Sequence, residues 1–360
     1  MLLGVLKEIN FNRVSITPGV SKKLVALGLT TMVESGAGER AGFTDQSYAE
    51  SEMKPASRDE ILKNADIIVS IEPVSDDEMS KMKKGSLYIS MLAPYLDAEI
   101  INNAGRFPVN VVSMDMIPRT TLAQSMDILS SMASLAGYKA VLKAADHYNN
   151  MFPMMMTAAG TIAPARVMVL GAGVAGLQAI ATARKLGAIV EVFDTRAAAK
   201  EEVKSLGANF VEVEGATDDK GAGGYAVQQS EEYLNRQRAL VQEKALKSNI
   251  IIATAQVRGR KAPLLVNEDT VNRMKPGSVI VDLAASTGGN CAFTEDNKTI
   301  VRNGVTIIGN SNLADDISGV ASNLFSNNIV NFLQIVVKDG AMNLDESNEI
   351  IKSALISKAN

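Results

Sequence analysis

The stretch Val167-Met168-Val169-Leu170-Gly171-Ala172-Gly173-Val174-Ala175-Gly176 decides the fold of this chain. Its apolar opening reads as a buried strand, the G-x-G-x-x-G as a tight turn, and the Ala- and Leu-rich continuation as a helix. A second apolar run, Ala188 to Phe193, ends in Asp194, eighteen residues past the last glycine. Strand, glycine turn, helix, strand and acid in that order form one half of a dinucleotide-binding fold. The glycines have separate roles. Gly171 permits the turn, Gly173 lets the backbone approach a pyrophosphate, and Gly176 lets the helix pack closely on the strand. The helix start then faces the phosphates with unpaired N–H groups. Asp194 is placed to accept hydrogen bonds from an adenosine ribose, which points to NAD rather than a cofactor carrying a 2′-phosphate.

Outward from this stretch, short apolar runs alternate with helical patterns. Before it, Leu2 to Leu6, Thr31 to Val33, Ile67 to Ile71, Ser86 to Met91 and Val109 to Met114 read as buried strands. Val20 to Leu27, Asp59 to Asn64, Asp76 to Met82 and Leu96 to Asn103 read as the helices between them. After it, strands are expected at Phe210 to Val213, Ile250 to Thr254, Val279 to Leu283 and Thr306 to Gly309. Such alternation marks parallel sheets covered on both faces. The expected fold is therefore α/β, with two Rossmann-like doubly wound domains and an NAD cleft between them. Residues 1–126 make the first domain, completed by 318–360, while 151–317 make the second. A proline-free Ala/Leu/Met-rich stretch, Ala123 to Tyr148, is read as a helix joining them, with the link placed at 127–150. The connection near 214–232, which contains Gly221-Ala222-Gly223-Gly224-Tyr225, is too long for a routine link; it is either a lid or a surface excursion.

At 360 residues the chain exceeds one ordinary core. Its 36 basic residues nearly balance 40 acidic ones without a basic cluster, which argues against a nucleic-acid partner. One cysteine, Cys291, rules out an intrachain disulfide; with a single histidine, His147, it leaves no Cys/His metal constellation and fits a reducing compartment. The start Met1-Leu2-Leu3-Gly4-Val5-Leu6-Lys7 reads as a strand, not a secretion signal. Val167 to Ala183 is nearly long enough to cross a bilayer, but its glycines sit where a turn needs them, so no transmembrane helix is expected.

Few residues suggest chemistry. Gln124, Asp127 and Ser130 are spaced by three near the start of the joining helix and follow Arg119, so they would share a face that meets either a ligand or, with the greater weight, solvent. His147 reads as a helix C-terminal residue facing the last carbonyls. Met154-Met155-Met156 reads as packing, with a position that also allows it to wall a nicotinamide pocket. Cys291 reads as a small buried hydrophobe. No general acid or base stands out. Oxidising an alcohol or amine needs one, whereas hydride transfer between two nicotinamide rings moves no proton and needs only placement and water exclusion.

These residues resemble the NAD(H)-binding component, domain I, of proton-translocating NAD(P) transhydrogenase. The resemblance runs through nearly the whole chain. It includes Arg13-Val14 with Thr17-Pro18, Glu34-Ser35-Gly36-Ala37-Gly38, Arg119 with Ala123-Gln124-Ser125-Met126-Asp127, Phe152 through Thr161, the glycine fingerprint, Asp194-Thr195-Arg196-Ala197-Ala198, Ala222 through Ala226 and Gly288-Gly289-Asn290-Cys291. Alanine dehydrogenases are related, but their lysine-containing K-V-K-E-P stretch appears here as Val69-Ser70-Ile71-Glu72-Pro73. Met91 and Ser286 stand where they place a histidine and an aspartate.

The resemblance implies that Arg119, Gln124, Asp127 and Ser130 hold the dihydronicotinamide, with Val174, Asp194, Thr195 and Arg196 at the adenosine and pyrophosphate. It implies that Gly224 and Tyr225 belong to a mobile loop closing over the nucleotide, and that Gln237, Ala255 and Gln256 make further contacts. Gln256 departs from the usual leucine, and Leu122 from a usual arginine. The implied reaction is reversible hydride transfer between NADH bound here and NADP⁺ on a partner component, coupled to proton movement through a transmembrane component. A homodimer, peripheral to the membrane on the cytoplasmic or matrix side, is implied as well. The chain would be a separate subunit or a cut domain.

Overall fold

The computed structural model describes residues 1–213 and 231–359. It divides into two compact units, Met1–Met132 with Ala314–Asn360 and Ala133–Leu313.

The first unit is built on strands β1 (Leu2–Val5), β2 (Thr30–Glu34), β3 (Met53–Ala56), β4 (Ile67–Val69), β5 (Leu87–Ser90) and β6 (Asn110–Ser113). They pair in parallel in the order β3-β2-β1-β4-β5-β6, so the order reverses between β1 and β4. Ile67, Ile68 and Val69 are all buried, as a strand covered on both faces requires. Helices α1 (Ser21–Ala26), α2 (Asp45–Glu50), α3 (Arg58–Asn64), α4 (Asp76–Lys81) and α5 (Glu99–Ala104) intervene. Their starts are set locally: Ser57 caps α3, and Ser75 with Glu78 forms a reciprocal capping box on α4. Helix α6 (Ile128–His147) follows a 3-10 turn, Thr121–Met126.

In the second unit the part of α6 from Ala133 onward is followed by an antiparallel hairpin, β7 (Met155–Thr157) and β8 (Gly160–Ile162). Its sheet has the order β11-β10-β9-β12-β13-β15-β14, with β9 (Arg166–Leu170), β10 (Ile189–Phe193), β11 (Asn209–Phe210), β12 (Ile250–Ala253), β13 (Val279–Asp282), β14 (Lys298–Arg302) and β15 (Val305–Gly309). All pairings are parallel except β14 with β15. Helices α7 (Val174–Lys185), α8 (Ala199–Ser205), α9 (Glu231–Lys247) and α10 (Glu268–Arg273) cover it. Strand alternation divides the core: Val167, Val169, Ile250 and Ile252 enter one apolar cluster, Met168, Leu170, Ile251 and Ala253 the other.

The chain then returns to the first unit through α11 (Ser318–Val336), the small hairpin β16 (Val337–Lys338) and β17 (Ala341–Met342), α12 (Glu349–Ala354) and β18 (Leu355–Ser357), which pairs antiparallel with β6. Ser322 and Ser326 of α11 accept the backbone N–H groups of Val14 and Thr17 at 2.9 and 3.0 Å.

Two doubly wound α/β sheets thus match the expected fold class, with additions at the edges. β3, β14 and β18 carry Lys54 and Pro55, Lys298 and Arg302, and a half-buried apolar pair, so none shows a buried run. The strand expected from Phe210 to Val213 is confined to Asn209–Phe210. The joining helix starts at Ile128, not Ala123. Val167 to Ala183 resolves into β9, the glycine turn and most of α7. Among the described residues no helix is long and apolar enough to cross a membrane.

Candidate functional site

β9 lies inside the second sheet, between β10 and β12, where the strand order reverses. The loop at its C-terminal end is the place where such sheets bind ligands. Gly171 has φ +99°, which L side chains rarely adopt, and a Cβ there would come 2.8 Å from Thr254 Oγ1. A Cβ on Gly176 would be driven into the carbonyl oxygen of Gly171. Gly173 differs: its Cβ would meet nothing within 4 Å, and both it and Val174 are exposed at the start of α7. The protein itself therefore requires two of the glycines, while the third leaves open space at a helix N-terminus.

Asp194 ends β10 beside this turn. Its Oδ2 accepts the Ala172 N–H at 2.6 Å, and its Oδ1 accepts the Arg196 N–H at 2.8 Å. Arg196 also donates through Nε to Asp194 Oδ1 at 3.1 Å and through Nη2 to the Ala172 carbonyl at 3.1 Å. The carboxylate beside it holds the guanidinium more firmly protonated than usual. Asp194 thus shapes the fingerprint turn, and its side chain is only 8% exposed under Arg196. Thr195 is exposed beside it. Sequence alone did not show this lacing.

On the other side of β9, Thr254 Oγ1 lies 3.0 Å from the Gly171 carbonyl oxygen, to which it donates. Ala255 and Gln256 follow, the latter donating through Nε2 to Thr287 Oγ1 at 3.2 Å. Gln237 is half-buried on α9. Gly224, Tyr225 and the rest of the loop expected to close over the nucleotide lie outside the described residues.

In the first unit, Arg119, Asp127 and Ser130 come together, but not by sharing a helix face. Gln124 belongs to the 3-10 turn, and Asp127 breaks the chain between the turn and α6 with ψ 92°. Asp127 acts as the cap of α6: Oδ1 accepts the Ser130 N–H at 2.9 Å and Oδ2 its hydroxyl at 2.6 Å. Arg119 donates through Nη2 to Ser130 Oγ at 3.1 Å, with its Nε 3.6 Å from Asp127 Oδ2. Gln124 is exposed. The amides of Asn328 and Asn331 on α11 both donate to the Ser125 carbonyl, at 2.8 and 2.9 Å, holding the turn from behind. Capping chemistry hides in a three-residue spacing because it looks the same as a helical face.

The remaining candidates separate clearly. His147 Nδ1 lies 3.0 Å from the Lys143 carbonyl, as expected near a helix C-terminus. Cys291 is 2% exposed in the second unit's core, and burial pushes its thiol up to about 11. Met154, Met155 and Met156 are 59, 38 and 76% exposed, so the packing expectation is corrected: β7 and β8 carry them out to the surface. Ser70 is enclosed by Tyr88 and Ser90 hydroxyls at 2.7 and 3.3 Å, next to the buried Ile71. Glu8, in the crevice where the first sheet's order reverses, accepts the N–H groups of Ile71 and Glu72 at 2.7 and 2.8 Å. Glu72 reciprocates with those of Ile9 and Asn10, both at 2.8 Å. Burial outweighs these bonds and raises the Glu8 carboxyl to about 7. Nothing local in the sequence signals this pair.

The fold and its glycine turn define a two-unit α/β protein with a dinucleotide fingerprint. Residues 4–136 match the alanine dehydrogenase/PNT N-terminal domain and residues 140–360 the corresponding C-terminal domain. The chain is 44% identical over 365 residues to the first of the chains that make up the NAD(P) transhydrogenase alpha subunit of Rickettsia prowazekii (strain Madrid E), covering 99% of this chain and 95% of that protein. A crystal structure of transhydrogenase from Sinorhizobium meliloti superposes with a TM-score of 0.91 at 41% identity, covering 100% of this chain and 99% of that one. Alanine dehydrogenase of Mycolicibacterium smegmatis (strain ATCC 700084 / mc(2)155) is more distant, 28% identical over 300 residues, 80% of this chain and 74% of that protein. The chain belongs to the alanine dehydrogenase/PNT family, on the side of the transhydrogenase alpha subunits.

Proposed function

We propose that this chain binds NAD(H) as a component of proton-translocating transhydrogenase and passes hydride reversibly between NADH and NADP⁺ held by a partner component. A complete dinucleotide fingerprint carries this reading, because Ile71, Met91 and Ser286 stand where the dehydrogenase relatives need acid–base groups. Hydride leaves C4 of NADH with its electron pair and forms a bond to C4 of the second nicotinamide. NADH becomes NAD⁺, NADP⁺ becomes NADPH, and no proton is exchanged in that step. The protein's work is then to place the donor ring and keep water away.

In this reading the N-terminus of α7, with Gly171, Gly173, Val174 and Gly176, faces the pyrophosphate, and Asp194, Thr195 and Arg196 face the adenosine. Gln237, Ala255 and Gln256 contribute further contacts, and Gly224 and Tyr225 close over the nucleotide. Arg119, Gln124, Asp127 and Ser130 hold the nicotinamide, on the strength of the resemblance. The Arg119–Asp127–Ser130 cluster supports this because it presents a fixed guanidinium, 66% exposed, from a buried carboxylate. The chain further acts with an NADP(H)-binding and a transmembrane component, as a homodimer peripheral to the membrane on the cytoplasmic or matrix side. The exposed methionines of the β7–β8 hairpin supply an apolar surface for the dimer.

Reconstitution tests the whole reading. The isolated chain should bind NADH, show little activity alone, and gain NADH-to-NADP⁺ transfer when a competent NADP(H)-binding component is added. Binding without transfer would reduce it to a nucleotide-binding module, and unaided reduction of NAD⁺ by L-alanine would make it a dehydrogenase.

A further inference from the structure

The Gly288-Gly289-Asn290-Cys291 turn follows β13, and nothing in the nucleotide-binding reading uses it. Its geometry is closely specified. Asp282, fully buried at the end of β13, accepts the N–H groups of Ala284, Asn290 and Cys291 at 3.0, 2.7 and 3.1 Å and the Thr294 hydroxyl at 2.6 Å. Gly289 sits against it with φ +76°, and a Cβ there would come 2.6 Å from Thr294 Cβ. The turn thereby aims the side chain of Asn290, itself 0% exposed, at the segment leaving β12.

There the planar amide grips one residue at two points. Asn290 Oδ1 accepts the Ala255 N–H at 3.0 Å, and Nδ2 donates to the Ala255 carbonyl at 2.8 Å. Nδ2 also donates to the Pro263 carbonyl at 2.8 Å, and the Asn290 carbonyl accepts the N–H groups of Leu265 and Val266 at 2.8 and 2.9 Å. The β12–β13 ladder ends at Ala253 and Asp282, so Asn290 continues strand-like pairing past the ladder's end. A second link, Gln256 Nε2 to Thr287 Oγ1 at 3.2 Å, joins the same two segments.

We propose that Asn290 is a positioning residue for nucleotide binding: held by Asp282, it fixes the Thr254–Gln256 backbone under the nicotinamide half of the dinucleotide. This rests on the nucleotide reading above. Asp194 places the adenosine on the β10 side of β9, and the pyrophosphate belongs at the start of α7. The other half must then pass over the end of β12, where Thr254 Oγ1 bonds the Gly171 carbonyl. Loosening Ala255 should therefore weaken recognition of the whole dinucleotide while sparing that of its adenosine half.

The test measures binding of NADH and of 5′-AMP to the full chain and to Asn290→Asp, which keeps the shape but turns a donor into an acceptor facing two carbonyls. NADH affinity should fall about tenfold while 5′-AMP affinity changes by less than about twofold. Thr287→Val, which leaves the Asn290 grip intact and cuts the second link together with the hydroxyl's own bond to the Ala284 carbonyl at 3.0 Å, should give a smaller loss with the same selectivity. It decides the matter if Asn290→Asp does not fold. Equal losses for both ligands, or no loss for either, would overturn the positioning role with the nucleotide reading intact. A parent chain that binds neither ligand would remove both.

Discussion

Gly173 and Gly176 are alike in the sequence and opposite in what they answer to. Gly176→Ala forces a methyl into the Gly171 carbonyl and should destabilise the protein by about 1–3 kcal/mol, the scale of overpacking. Gly173→Ala meets no protein atom, so the melting temperature should hold while NADH affinity falls about tenfold, as titration alongside thermal melts will show. Asp127 separates charge from capping in the same way. Asn is as good a cap, so Asp127→Asn should leave stability nearly unchanged and impair reconstituted transfer; Asp127→Ala should lose about 1 kcal/mol as well. An Asn variant with parental transfer rates would assign Asp127 to the helix alone. Glu8 titrates from about 7 when folded against an ordinary 4.5. Because the folded value is the higher, its contribution is whole below pH 4.5 and lost as pH rises through 7. Urea titrations from pH 5 to 8 should show the parent losing up to about 3 kcal/mol relative to Glu8→Gln.

Elements were legible where a pattern is local and obscure where it depends on what lies opposite. Ile250 to Ala253 and Val279 to Asp282 read as strands because both faces are buried, making every residue apolar or an end group. β14 escaped notice because only one neighbour, β15, covers it and its ends are Lys298 and Arg302. The Met154–Met156 run shows the limit most plainly. Three methionines in sequence signal burial, yet a two-stranded hairpin has no second layer to bury them among the described residues of one chain. At the start of α6, the three-residue spacing of Gln124, Asp127 and Ser130 is common to a helix face and to a cap, and only the backbone at Asp127 distinguishes them.

For the molecule as a whole, the exposed methionines of the hairpin give the proposed dimer a surface on which it can be tested. Met156→Asp places a charge at a residue 76% exposed, so the folded chain should tolerate it. If the hairpin forms the homodimer, light scattering should show the variant as a monomer that still binds NADH. A dimer unaffected by the charge would move the interface elsewhere. The thiol of Cys291, buried and pushed up to about 11, should resist alkylation at pH 8 in the native protein and react once it is unfolded, which mass spectrometry can follow.

By itself the sequence determined the strand, glycine turn, helix, second strand and acid from Val167 to Asp194, and hence the doubly wound class of the second unit. Those features are set by neighbours within one βαβ unit and by the steric needs of Gly171 and Gly176. Its long motifs also carried the family. The tertiary structure alone decided that Asp127 caps α6, that Asp194 binds the Ala172 N–H, and that Asn290 reaches across 35 positions to hold Ala255. Periodicity records which residues are apolar, whereas a buried polar group is defined by the partner that satisfies it, and that partner is brought close only when the sheet forms.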